Sequence, residues 1–204
     1  AVFDDLIQES GCECEVMHHV NESVLMDILR LGQANEDIAD RVRTSVLELK
    51  EAGADLVVCT CSSIGAIAEE MNDSEPIEIQ RIDRAMADEA VRQGGRIVLA
   101  ASLSTTLGPT RDLLKSSAEK AGKSISIKEL VISAAWACYE VGDHDGYIEE
   151  IAKELRRAFS EGDAIVLAQA SMTGAASLVS DCPIPIFSSP RLGVNRALDT
   201  LRNW

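Results

Sequence analysis

With 204 residues, 46% of them hydrophobic and 26% charged, the chain has the balance of a soluble globular protein of one domain or two small ones. Its net charge of −15 sets it against nucleic-acid backbones and anionic membranes. No apolar run is long enough to cross a bilayer and A-V-F-D-D-L-I-Q-E-S is no signal peptide, so a cytoplasmic location is expected.

Helical periodicity covers about 2–10, and 13–20 reads as a strand, with Cys12/Cys14 at its start and His18 and His19 near its end. A helix over about 36–52 closes with Gly53 before the apolar strand 55–60, which runs into T-C-S-S-I-G and a helix at 64–71. A strand at 77–82 and a helix at 83–93 follow. Next come strand 96–101, the loop L-S-T-T-L-G-P, helix 106–121, strand 125–132 and helix 145–161. Strand 163–168, helix 171–180, a short strand at 184–187 and a helix at 190–202 complete the chain. Such alternation, with continuous apolar runs such as I-V-L at 97–99 and 165–167, means mostly parallel sheets with helices on both faces: an α/β fold.

The chain repeats itself. D-L-V-V-C-T-C-S-S-I-G at 55–65 parallels D-A-I-V-L-A-Q-A-S-M-T at 163–173, so Asp55 meets Asp163, Ser63 meets Ser171 and Cys61 meets Gln169. Helix 36–53 parallels 145–162, P-I-E-I-Q-R-I-D parallels P-I-P-I-F-S-S-P, and the opening helix parallels 111–122. Two similar halves are therefore expected, 1–93 with the closing segment 190–204 packed back on it, and 94–189. Their carboxyl strand ends should form a ligand cleft. The second half opens with a strand and loop that have no counterpart in the first, so a first strand and its loop, about 15 residues, are expected to be absent before Ala1.

Three places could carry chemistry. Cys61 lies between a buried strand and a helix, where unpaired N–H groups and the helix dipole favour a thiolate, with Ser62 and Ser63 as adjoining donors. A small buried thiol is the rival reading, one that suits Cys59 better. Ser104, Thr105 and Thr106 precede a helix and could cradle a carboxylate or simply cap it. Gln169, Ala170 and Ser171 mirror the Cys61 turn; Gln169 can only exchange hydrogen bonds, whether with a ligand or within a polar gap. The C-x-C pairs lack the usual zinc spacing, so no metal site is expected and reduced buried thiols are the plainer reading, with redox or metal handling as the rival. Phosphate-binding glycine loops and G-x-S-x-G are absent.

T-C-S-S-I-G, V-L-A-Q-A-S-M-T-G, S-L-S-T-T-L-G-P-T and the closing S-S-P-R-L-G-V together resemble the aspartate/glutamate/hydantoin racemase superfamily over almost the whole chain. The resemblance implies two pseudo-symmetric Rossmann-like lobes, no cofactor, and a small carboxylate substrate held by amides and hydroxyls. It implies two opposed cysteines that remove and return the proton on the carbon α to the carboxylate. Cys61 falls on the first of these, Ser62 and Ser63 on its donor turn, and Thr105 and Thr106 on the carboxylate-binding loop. The second cysteine falls at Gln169, which can be neither acid nor base. A racemase-like isomerase with one thiol is expected, or alternatively a single-cysteine decarboxylase or isomerase, or an inactive carboxylate binder. A homo-oligomer is compatible with each.

Overall fold

The computed structural model describes residues 2–74 and 76–203, and among these the apolar runs become six strands, all paired in parallel. The chain divides into two compact units, Ala1–Asp83 with Pro190–Trp204, and Arg84–Ser189. Ala1, Glu75 and Trp204, which the expected lobes include, lie outside the described residues. The division falls ten residues earlier than the expected 93/94 boundary, because α5 (Arg84–Gln93) is tied to α6 (Leu107–Lys120). Arg84 donates to Ser117 Oγ at 3.1 Å, and Ser117 donates to Asp88 at 2.7 Å.

The first unit holds α1 (Val2–Glu9), α2 (Glu22–Leu31), α3 (Glu36–Glu51), β1 (Leu56–Cys59), α4 (Gly65–Glu70) and β2 (Glu78–Arg81). The helix α10 (Ser189–Arg202) completes it. Strand alternation sends neighbouring residues of β1 to opposite faces. Val57 packs with Ile28, Ile38, Val42 and Ile79, while Val58 packs with Phe3, Leu6, Val194 and Leu198. The closing helix approaches so closely that a Cβ at Gly193 would run into the Ile82 carbonyl, which explains a glycine inside that helix.

Two expectations fail in this unit. Residues 13–20 form no strand: Val16, Met17 and Val20 are exposed, Val20 at 78%, and the helix α2 follows where none was read. A strand needs a partner ladder, and among the described residues β1 pairs with β2 alone, leaving its other edge open. Cys12 and Cys14 turn inward to the α1–α10 core, and burial pushes the Cys14 thiol up, with Cys12 beside it adding to the effect.

The second unit is a four-stranded sheet of order β4–β3–β5–β6, with β3 at Arg96–Ala101, β4 at Ser126–Val131, β5 at Ala164–Leu167 and β6 at Ile186–Phe187. Every residue of β5, and all of β3 but Arg96, is buried, as the continuous apolar runs require. Val98, Ala100, Ile165 and Leu167 face α7 (Ser133–Glu140), α8 (His144–Ala158) and α9 (Thr173–Leu178) through Ala135, Tyr147, Ile151, Leu155 and Ala175. The helix α7 was not read from the sequence; it contains Cys138, which packs as a partly buried apolar group against this core.

Candidate active site

The two repeated turns sit at the carboxyl ends of parallel strands, one in each unit. In the first, Thr60–Ile64 links β1 to α4, and Cys61, Ser62 and Ser63 are all half-buried. The helix-end field expected at Cys61 is displaced. The helix α4 begins four residues later, at Gly65, and runs for six residues, whereas such fields fade within a turn. The amides of Ile64 and Gly65 donate instead to the carbonyls of Cys61 (3.3 Å) and Ser62 (3.4 Å). Cys59 donates its S–H to the Cys61 carbonyl at 3.6 Å, and burial pushes its thiol up to about 12, which makes it the inert member of the pair.

Beneath this turn lies an ion pair that the sequence reading missed. Arg81 and Asp83 meet through Nε–Oδ1 at 2.7 Å and a second bond at 3.1 Å, with side chains 3% and 1% exposed. A Cβ on Gly65 would stand 2.9 Å from Arg81 Nε, so the glycine lets the turn rest directly on the guanidinium. The signal was available: both partners of an i, i+2 pair leaving a strand lie on one face.

In the second unit, Gln169 lies two residues past β5 in extended conformation, ahead of the 3-10 turn Ala170–Met172. Its Oε1 accepts three hydrogen bonds, from Ser102 N (2.8 Å), Leu103 N (3.1 Å) and Ser102 Oγ (2.9 Å). Ser102 Oγ lies 3.3 Å from the Tyr147 hydroxyl, which lies 2.7 Å from Ser171 Oγ. Burial holds the Tyr147 phenol above its ordinary range, against the opposing pull of Ser102 and Ser171. The structure thus brings Gln169 and Ser171 together with Ser102 and Tyr147, two residues the sequence reading did not select. Ser102 adjoins the hydroxyl cluster and was within reach; Tyr147 is placed by the path of α8 alone.

The Ser104–Thr106 cluster is itself a short 3-10 turn leading into α6. Ser104 is exposed, and Thr106 donates to the Leu103 carbonyl at 2.7 Å without capping α6. The Thr105 hydroxyl is buried, with no partner among the described residues. His18 pairs with Asp4 at 2.7 Å and His19 with Glu48 at 3.8 Å. Among the described residues no group of three or more His, Cys, Asp or Glu could hold a metal ion, and no helix is long and apolar enough to cross a membrane.

Parallel α/β units with thiol- and hydroxyl-bearing turns at their strand ends define an α/β protein of the racemase fold. The Asp/Glu/Hydantoin racemase family matches residues 4–197, and the chain belongs to that family. Among solved structures it is similar to an aspartate racemase homologue from Pyrococcus horikoshii, at 13% identity and TM-score 0.70, covering 98% of this chain and 91% of the other. It is similar to an allantoin racemase from Pseudomonas fluorescens at 16% identity and TM-score 0.63, covering 99% and 86%. A glutamate racemase from Bacillus anthracis matches at 13% identity and TM-score 0.62 over 81% of this chain, which spans 66% of that protein. At these identities the likeness is one of fold. No curated protein matches the chain.

Proposed function

We propose that the protein is a cofactor-independent isomerase of the racemase type, acting at the carbon α to the carboxylate of a small aspartate- or glutamate-like substrate. Cys61 is the group that moves the proton: its sulfur takes hydrogen from the α-carbon, leaving the electron pair delocalised into the carboxylate, and then returns a proton to that carbon. Ser62 and Ser63 donate to the substrate beside it. In the second unit the Thr105 hydroxyl, without a partner among the described residues, is the carboxylate-binding candidate, the Thr106 hydroxyl being spent on the Leu103 carbonyl. Membership of the racemase family together with a half-buried thiol at a strand end supports this reading.

One observation shapes it further. Gln169 occupies the turn that repeats the Cys61 turn, and its amide carries no proton it can transfer to carbon at neutral pH. Exchange of the α-hydrogen with solvent, with little inversion, is the expected outcome, and it favours one-sided chemistry such as decarboxylation or isomerisation as the second reading. The test is incubation with L- and D-aspartate and glutamate in deuterated water, following loss of the α-proton signal. Exchange that Cys61→Ser abolishes at unchanged thermal stability supports the assignment. Exchange that survives in C61S overturns it, and carboxylate binding with no exchange at all makes the protein a binder.

A further inference from the structure

We propose that Gln169 is a fixed hydrogen-bond donor to a carboxylate oxygen of the ligand, presented by the Ser102–Tyr147–Ser171 hydroxyl chain, and that no proton is transferred from this turn. The inference rests on the small-carboxylate reading above, but not on the role given to Cys61.

The orientation of the amide follows from hydrogen counting. The backbone N–H groups of Ser102 and Leu103 can only donate, so the atom they meet at 2.8 and 3.1 Å must be the side-chain oxygen of Gln169. Ser102 has one hydroxyl hydrogen, and it goes to the same oxygen at 2.9 Å. The 3.3 Å contact between Ser102 and Tyr147 is therefore made by the Tyr147 hydrogen, and the 2.7 Å contact between Tyr147 and Ser171 by the Ser171 hydrogen. Ser102 and Tyr147 are 3% and 2% exposed, so water does not readily reverse this order. Every hydrogen of the chain points toward Gln169.

Two consequences follow. Three donors on one carbonyl oxygen draw electron density through the amide and strengthen its N–H groups as donors. The Nε2 hydrogens take no part in the network, and among the described residues nothing accepts them. A donor pair of this kind, fixed on a half-buried strand end, fits the planar oxygens of a carboxylate. It gains strength as charge builds on that oxygen when the α-proton leaves, so it stabilises the transition state more than the bound substrate. The position that mirrors the thiol would thus serve as an electrostatic clamp.

The test is titration of ¹⁵N-labelled protein with malonate, following the Gln169 side-chain amide resonances, beside Gln169→Glu. Glutamate keeps an oxygen for the Ser102 and Leu103 amides but replaces the Nε2 donor by an acceptor. Saturable shifts of the Nε2 resonances, with at least tenfold weaker malonate binding in Q169E at unchanged melting temperature, are expected. Should Q169E lose stability, the wild-type resonances decide alone. Unchanged affinity in Q169E, malonate binding that leaves those resonances still, or no malonate binding overturns the proposal. Failure of the thiol assignment would show separately, as α-exchange retained in Cys61→Ser, and does not bear on the Gln169 resonances.

Discussion

The turn after β5 is held by the strand beside it, whereas the turn after β1 rests on a buried ion pair. In the second unit β3 lies against one edge of β5 and β6 against the other, and the loop leaving β3 supplies the two amides and the hydroxyl that hold Gln169. Asp163, just before β5, is bound by the backbone and guanidinium of Arg96 of β3, and this holds its carboxyl below the usual range. In the first unit, among the described residues, β1 has β2 on one edge only, and Asp55, the repeat of Asp163, is exposed. The first turn is supported from below instead, by the Arg81–Asp83 pair. A duplicated sequence has therefore produced one turn organised from its neighbouring strand and one organised from a buried ion pair.

Breaking that pair should have the largest effect. Asp83→Ala leaves the Arg81 guanidinium charged and buried without a partner, a change that typically costs about 3–5 kcal/mol. Denaturant unfolding of the variant should show a loss of that order; a loss below about 1 kcal/mol, the level of an exposed pair, would mean that the turn does not depend on the ion pair. A shift of Arg81 would also move the turn resting against it through Gly65, so the reactivity of Cys61 toward alkylating agents should change together with stability.

A smaller effect separates the two cysteines of the first turn. Burial raises the Cys59 thiol from 9.0 to about 12, so between these values the folded state retains a proton that the unfolded chain has released. The folded pKa being the higher one, its contribution to stability is complete below about pH 9 and is lost as pH rises toward 12. The slope is about 1.4 kcal/mol per pH unit over that window. Cys59→Ala should flatten the alkaline limb of the stability curve by that amount relative to wild type. Parallel limbs for the two proteins would show that Cys59 is not desolvated.

The contrast between the units also explains what could be read from the sequence. The repeat, the strand ends and the pairing of Cys61 with Gln169 were legible, because they depend on local periodicity and on comparing the chain with itself. Two helices were not. In α2, Val24 and Ile28 are buried one helical turn apart, but the apolar residues of C-E-V-M-H-H-V just before them favour a strand reading. In α7, S-A-A-W-A-C-Y-E follows β4 after a single residue, too soon for a turn signal to separate them. The support of Gln169 comes from Ser102, 67 residues away, and Tyr147 reaches Ser171 from 24 residues away, so no spacing rule could join them.

The smallest expected effect requires no change in global stability and concerns the open edge itself. In parallel strands alternate residues address opposite neighbours. In β5, Ala168 donates to Ala100 of β3 at 2.9 Å, while Ile165 donates toward β6 through Pro185 at 2.9 Å. The repeat sets Val58 against Val166 and Thr60 against Ala168, so the amides of Val58 and Thr60 point to the edge that β2 does not occupy. On the other side, Ile82 donates to the Cys59 carbonyl at 2.9 Å. Hydrogen exchange should therefore be fast at Val58 and Thr60 and slow at Val166 and Ala168, with Val57 and Cys59 protected like Ile165 and Leu167. Equal protection at Val58 and Val166 would mean that another strand lies along β1. The asymmetry between the turns would then be one of source, a strand from elsewhere against one from the same unit.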